Sequence, residues 1–210
     1  MAMTWTTLTG AKTVAGSIKN WVNYEKVDSE TILDEAQATI FQFLRIREMR
    51  ASTTLTISVG DSTKALPTGF LDPIDLRSKN MMREIEIRDE ATLNARRVYD
   101  TDWVLESGFP AIYAIFDELM QFEYKFEEAD ELPFVYFKRP TLLSVSNTTN
   151  FLTDRFPHLL RTACMMQAAD MAKDDTEYAK LSTRLVALIE KTNVESDLSY
   201  RGMRMSIEGP

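Results

Sequence analysis

Two apolar stripes joined by a short polar break constrain this chain more than any other feature. Between Asp154 and Asn193, apolar residues recur at Phe156, Leu159, Leu160, Ala163, Cys164, Ala168 and Met171, the spacing of one helical face. Lys173-Asp174-Asp175-Thr176 then interrupts the pattern without an apolar residue, and it resumes at Tyr178, Leu181, Leu185, Leu188 and Ile189. Pro157 stands in the first turn of the first helix, where its missing N–H costs nothing. Asp174, three residues before Glu177, is placed to cap the second. So short a turn makes the helices antiparallel neighbours. Neither stripe is covered by its partner alone, so elements from elsewhere in the chain must complete the core.

Those elements are readable upstream. Val14, Ile18, Trp21 and Val22 predict a short amphipathic helix ending near Tyr24. Asp28-Ser29-Glu30 starts a second, with Ile32, Leu33, Ala36, Ile40, Phe43 and Leu44 on its apolar face and Arg45, Arg47 and Arg50 at its C-terminal end, where the helix dipole favours cations. The period then changes to two. Thr54–Val59 alternates as a half-buried strand, Gly60-Asp61-Ser62 is a turn, and Lys64–Pro67 is a short return strand. Phe70–Leu76 is irregular around Pro73, Arg83–Arg88 alternates again, and Tyr99–Leu105 reads as one or two helical turns. Three aromatic-rich segments, Ala111–Phe116, Gln121–Phe126 and Phe134–Phe137, read as an antiparallel meander. A polar loop from Pro140 to Asn150 leads into the helix pair. Beyond Asn193 the periodicity stops, and 196–210 reads as an extended arm that would reach roughly 50 Å. The plan is α+β: a helical bundle from 1–50 and 151–195, a β-rich insertion over 51–150, and the C-terminal arm over 196–210.

Charge and composition exclude several functions. A net charge of −8 argues against a binder held by phosphate neutralisation. No apolar run approaches the roughly 20 residues of a membrane span, and the N-terminus does not read as a signal peptide. The single cysteine, Cys164, excludes an internal disulfide and reads as a small core residue. The single histidine, His158, has no partner at triad or metal spacing. Gly10-Ala11-Lys12-Thr13 has Trp5 where a phosphate-binding loop needs its first glycine. Seven acids between Asp117 and Glu131 fall in turns or on outward strand positions and read as a solvated rim. No catalytic, cofactor-binding or metal-ligating residue is expected.

Four local sequences, in this order, resemble the head-to-tail connector (adaptor) proteins of tailed bacteriophages. They are Ile32-Leu33-Asp34-Glu35-Ala36-Gln37 in a helix, the turn Leu66-Pro67-Thr68-Gly69-Phe70, the segment Gly108-Phe109-Pro110-Ala111-Ile112-Tyr113, and the strand exit Tyr136-Phe137-Lys138-Arg139-Pro140. The resemblance covers roughly Val14 to Asn193. It implies a structural virion protein at the head–tail junction: a homo-oligomeric ring, commonly of twelve copies, docked under the portal protein. Double-stranded DNA would pass through non-specifically, and a downstream tail or nozzle protein would attach below. It also implies that the C-terminal arm meets the portal, through Tyr200, Arg201, Met203, Arg204, Met205 and Ile207. The alternatives are another tail-completion or stopper protein, a hydrolase built on Glu123, Glu127 or Glu128, and a cellular binding module using the β-rich surface.

Overall fold

The computed structural model describes residues 29–205 except Trp103 and Val145, with side chains from Glu30 to Asp197. The chain is α+β, with five α-helices and largely antiparallel sheets among the described residues. It divides into two compact units, Met49–Arg139 and the segments on either side of it. The helix expected over Val14–Tyr24 lies outside the described residues.

The helical unit contains α1 (Ser29–Phe43), the helix predicted to follow Asp28. Ile32, Leu33, Ala36, Ile40 and Phe41 are buried. Arg45 serves the helix end as expected: its Nη1 donates to the carbonyls of Phe41 and Leu44 at 2.9 and 2.8 Å, satisfying acceptors that a helix terminus leaves open. The first helix of the pair is broken. Asn150 caps α3 (Phe151–Arg155) in a reciprocal box with Thr153. Phe156 then leaves helical geometry, and Pro157 opens α4 (Pro157–Met171). The stripe of α4 buries Leu159, Leu160, Ala163, Cys164 and Ala168. It packs against both α1 and α5 (Asp175–Met205). The helix pair thus has α1 as a further packing partner, as an uncovered stripe requires.

Gln37 explains why a polar residue sits in that core. It is fully buried. Its Nε2 donates to the Leu143 carbonyl at 3.2 Å, and its Oε1 accepts from Leu143 N at 2.6 Å. One side chain thus satisfies both backbone groups of a buried loop residue, which would otherwise lack partners. Leu143 is itself fully buried, so the polar loop is pinned at its apolar residue.

In the β-rich unit, β1 (Arg50–Ile57), β2 (Thr63–Ala65) and β3 (Phe70–Ser78) are followed by the short β4 (Arg83–Glu84) and β5 (Glu86–Ile87). Then come α2 (Glu90–Arg96), β6 (Ser107–Gly108), β7 (Ile112–Phe116), β8 (Leu119–Phe122), β9 (Lys125–Phe126) and β10 (Asp130–Lys138). One sheet has the order β1-β10-β3-β4, a second β2-β8-β7-β5, and β6 pairs with β9. A continuous core joins Leu55, Ile57, Leu76, Leu132, Phe134 and Tyr136 of the first sheet to Tyr113, Met120 and Phe122 of the second. On the other face of β7, Ile112 and Ala114 meet Leu93 of α2.

Several expectations are corrected. The meander is not continuous: β7 and β8 form a hairpin, but β10 leaves them and pairs with β1 and β3. Length decides this. A nine-residue strand with Leu132, Phe134 and Tyr136 on one face needs long partners, and β1 and β3 supply them where β8 and β9 cannot. Likewise β2 does not return on β1 but pairs with β8. The segment around Pro73 is a strand. The register slips between Val135 and Tyr136, so that Asp75 and Pro73 face successive residues of β10, and β4 reaches only Arg77 and Ser78. Proline is tolerated at such a bulge, on a stretch whose far side no strand covers. Tyr99–Leu105 is not helical but closes in an antiparallel bridge between those two residues. The helix lies earlier, where Asp89 caps α2 by accepting from Thr92 N at 2.9 Å. Two of the acids assigned to a solvated rim are inside. Glu123 and Asp130 are each 6% exposed. Asp130 accepts from Ser78 Oγ, Asn80 N and Glu131 N, which together fix the turn after β3.

Cys164 is fully buried, and burial alone pushes its thiol far above the usual range. A thiol reagent added to native protein at pH 8 is expected to leave Cys164 unmodified, with full labelling on addition of denaturant. Rapid labelling under native conditions would contradict the packing of α4.

Candidate functional site

The end of α5 is built from the second stripe of the helix pair. Asp174 Oδ1 accepts from Glu177 N at 3.0 Å, the capping role its spacing predicts. Lys173 turns the chain with a φ of 56°. Leu181, Leu185, Ile189 and Thr192 then follow as a buried line along α5. One turn further on, polar residues take over. Asn193 Oδ1 accepts from Arg45 N at 2.8 Å, and its Nδ2 donates to the Phe43 carbonyl at 3.0 Å. Ser196 Oγ accepts from Arg47 N at 2.9 Å. Glu48, beside them, pairs with Arg155. Two side chains of α5 thus hold the turn that ends α1. Beside this clamp lies a cavity of about 540 Å³, lined by Arg47, Glu48, Arg155, Phe156, Thr192, Glu195 and Ser196.

Beyond the clamp the backbone stays helical to Met205. The expected extended arm over 196–210 is therefore corrected as far as Met205. Tyr200, Arg201, Met203, Arg204 and Met205 lie on the last turns of α5, and Ile207 lies outside the described residues. The physical reason is cooperativity. Once a helix is nucleated, each further residue adds a hydrogen bond without a new nucleation cost, even where the apolar period has ended. Gly202 costs about 1 kcal/mol against alanine, too little to stop it, and no proline intervenes. The reach changes accordingly: Asp197–Met205 spans about 14 Å as helix, at 1.5 Å per residue.

Asn193 and Ser196 have no foreshadowing in sequence. They are surface-type residues in a helix, and their partners stand about 150 positions away. Gln37 is different, because the acid-Ala-Gln segment already singles it out, although not its partner.

The other motifs of the resemblance also acquire physical roles. Phe70 N donates to the Pro67 carbonyl at 3.0 Å, closing a turn in which Gly69 has a φ of 77°, a conformation glycine adopts without strain. The Gly69 carbonyl accepts from Arg139 N at 2.7 Å, so the Leu-Pro-x-x-Phe turn is tied directly to the strand exit. Phe70 lies within ring contact of both Phe134 and Tyr136. Gly108 lies against Tyr124, where a Cβ would stand 3.1 Å from the ring. Arg83 donates to the carbonyls of Phe109 and Pro110.

The residues weighed for catalysis do not converge. Glu123 is buried and accepts from Ala111 N at 3.4 Å, whereas Glu127 and Glu128 are exposed. His158 is exposed at the start of α4. Among the described residues no group of three or more His, Cys, Asp or Glu side chains is arranged to hold a metal ion. No helix among them is long and apolar enough to cross a membrane.

The fold defines an α+β chain with a sheet-rich unit and a helical unit that ends in one long helix. The family model described as SU10 adaptor protein matches residues 6–205, and the chain belongs to this phage head-to-tail adaptor family. No curated protein matches its sequence.

Proposed function

We propose that this chain is the ring-forming adaptor of a tailed phage, docked on the portal at the head–tail junction. The observation that carries the reading is the family match over nearly the whole chain. The resemblance of the four motifs implies the rest: a ring, commonly of twelve copies, a portal above it, a tail or nozzle protein below, and double-stranded DNA passing through. The net charge of −8 suits a conduit, since an acidic chain gains little from phosphate neutralisation and would not retain a polyanion.

The portal contact is assigned to the end of α5 and the residues beyond it: Tyr200, Arg201, Met203, Arg204, Met205 and Ile207. Asn193 and Ser196 support this role, because they anchor the helix immediately before it. The segment is then presented from a fixed base rather than from a loose tail.

Electron microscopy of the purified protein, alone and mixed with portal rings, tests the reading. A ring stacked coaxially on the portal, with a countable number of subunits, is the expected result. Monomers that persist and ignore the portal would move the chain to another tail-completion role.

A further inference from the structure

We infer that copies of this chain join head to tail through a basic, apolar-floored notch that receives the acidic β7–β8 turn of the neighbouring copy. The inference rests on the ring reading above and names the surfaces that would close the ring.

The notch lies where the first turns of α4 face α5. Its volume is about 430 Å³, and most of its lining is apolar. Pro157, Met165 and Leu181 contribute to the floor, while His158, Arg161 and Arg184 stand at the rim. All three rim residues are exposed. Two arginines beside an apolar floor, with His158 next to them, select an occupant with acidic and apolar parts.

The chain carries such an element itself. β7 ends at Phe116 and β8 begins at Leu119, which leaves Asp117 and Glu118 as a two-residue loop. Both are exposed, and among the described residues neither carboxylate has an ion-pair partner. Leu119, half-buried beside them, supplies the apolar part. Their φ angles are 53° and 59°. A hairpin turn of that geometry is best served by Asn-Gly, and adjacent carboxylates add repulsion. The turn itself accommodates Asp117, but it does not favour Glu118, whereas a basic receptor on the next copy does. The two surfaces differ, so the contact is heterologous, and such contacts generate rings when the rotation closes.

The test uses full-length protein and counts ring occupancy on portal rings. The double substitution D117N/E118G supplies the favoured turn sequence. Its melting temperature is expected to stay the same or rise, while the concentration needed for ring occupancy rises about tenfold or more. D117K/E118K and R161E/R184E are each expected to lose assembly to a similar or greater degree. The chain carrying all four reversals is expected to recover to within about threefold of wild type. Wild-type assembly by D117N/E118G, or failure of the four-fold reversal to recover, would overturn the inference while the ring reading stands. If R161E/R184E assembles normally but loses salt-dependent retention of double-stranded DNA, the notch is a phosphate contact and the inference is likewise overturned. Absence of rings from the wild-type protein itself would instead remove the ring reading, and the inference with it.

Discussion

Removing residues 197–210 is expected to abolish portal binding while leaving the fold unchanged. The cut falls just after Ser196, so the clamp on the α1 end survives intact: Asn193 with Arg45 N and the Phe43 carbonyl, and Ser196 with Arg47 N. The buried line Leu181, Leu185, Ile189 and Thr192 lies wholly before the cut. What is lost is the end of α5, with the residues assigned to the portal. The truncated chain should match wild type in far-UV circular dichroism apart from its missing helical turns, and should protect Cys164 equally well. Co-sedimentation with portal rings should fall to background. Truncated protein that sediments with the portal at wild-type occupancy would remove Tyr200, Arg201, Met203, Arg204, Met205 and Ile207 from the portal contact. A cut before Asn193 is a useful contrast. It removes the clamp as well and should expose Cys164 to thiol reagents, which the first truncation should not.

Gln37→Leu is expected to destabilise the helical unit by about 2–4 kcal/mol. The reason is the asymmetry of buried hydrogen bonds: a made bond contributes modestly, but an orphaned buried group costs about 1–3 kcal/mol. Leucine is apolar and of similar size, so the cavity term is small. It would nonetheless leave both the N–H and the carbonyl of fully buried Leu143 without their partner. Urea denaturation followed by the labelling of Cys164 reads this unit directly, because Cys164 lies on α4, which packs against α1. A midpoint unchanged from wild type would show that the Gln37–Leu143 pairing contributes nothing.

Gln37→Glu extends the same argument to pH. A carboxylate keeps an acceptor for Leu143 N but sets a second oxygen against the Leu143 carbonyl. Burial and that carbonyl both favour the protonated acid, so the folded-state pKa would lie above the unfolded value of about 4.3. Folding then binds a proton, and stability falls as pH rises above the unfolded value. The variant should be closest to wild type near pH 4 and weakest at neutral pH. Gln37→Leu, which has no titrating group, should keep a pH-independent deficit relative to wild type.

Much of the fold was legible because local signals and tertiary demands agreed. The Asp174 cap and Pro157 at a helix start both stand where the residues indicate. Each is decided within a few residues by capping or ring closure. The stripe on α4 was equally clear, since burying Leu159, Leu160, Ala163 and Cys164 together is possible only on a helix. The helix at Glu90–Arg96 was missed despite a usable signal, the Asp89 cap, because so short a helix has almost no period to detect.

What the amino-acid order determined alone was the type of many elements and the family resemblance carried by four short segments. What only the tertiary structure decided was which elements meet. The alternation of β10 marks it as a strand but does not name its partners. Those are set by the lengths of β1 and β3 and by a shared apolar face. Glu123 and Asp130 look like rim residues until the surrounding chain folds over them and supplies their donors. Gln37 and Asn193 are ordinary polar residues in helices until a loop or a turn more than a hundred positions away brings backbone groups that need them. Local geometry is set by a residue and its near neighbours, and so can be read from them. Partnership is set by the whole surface that must be covered, and that exists only once the chain has closed on itself.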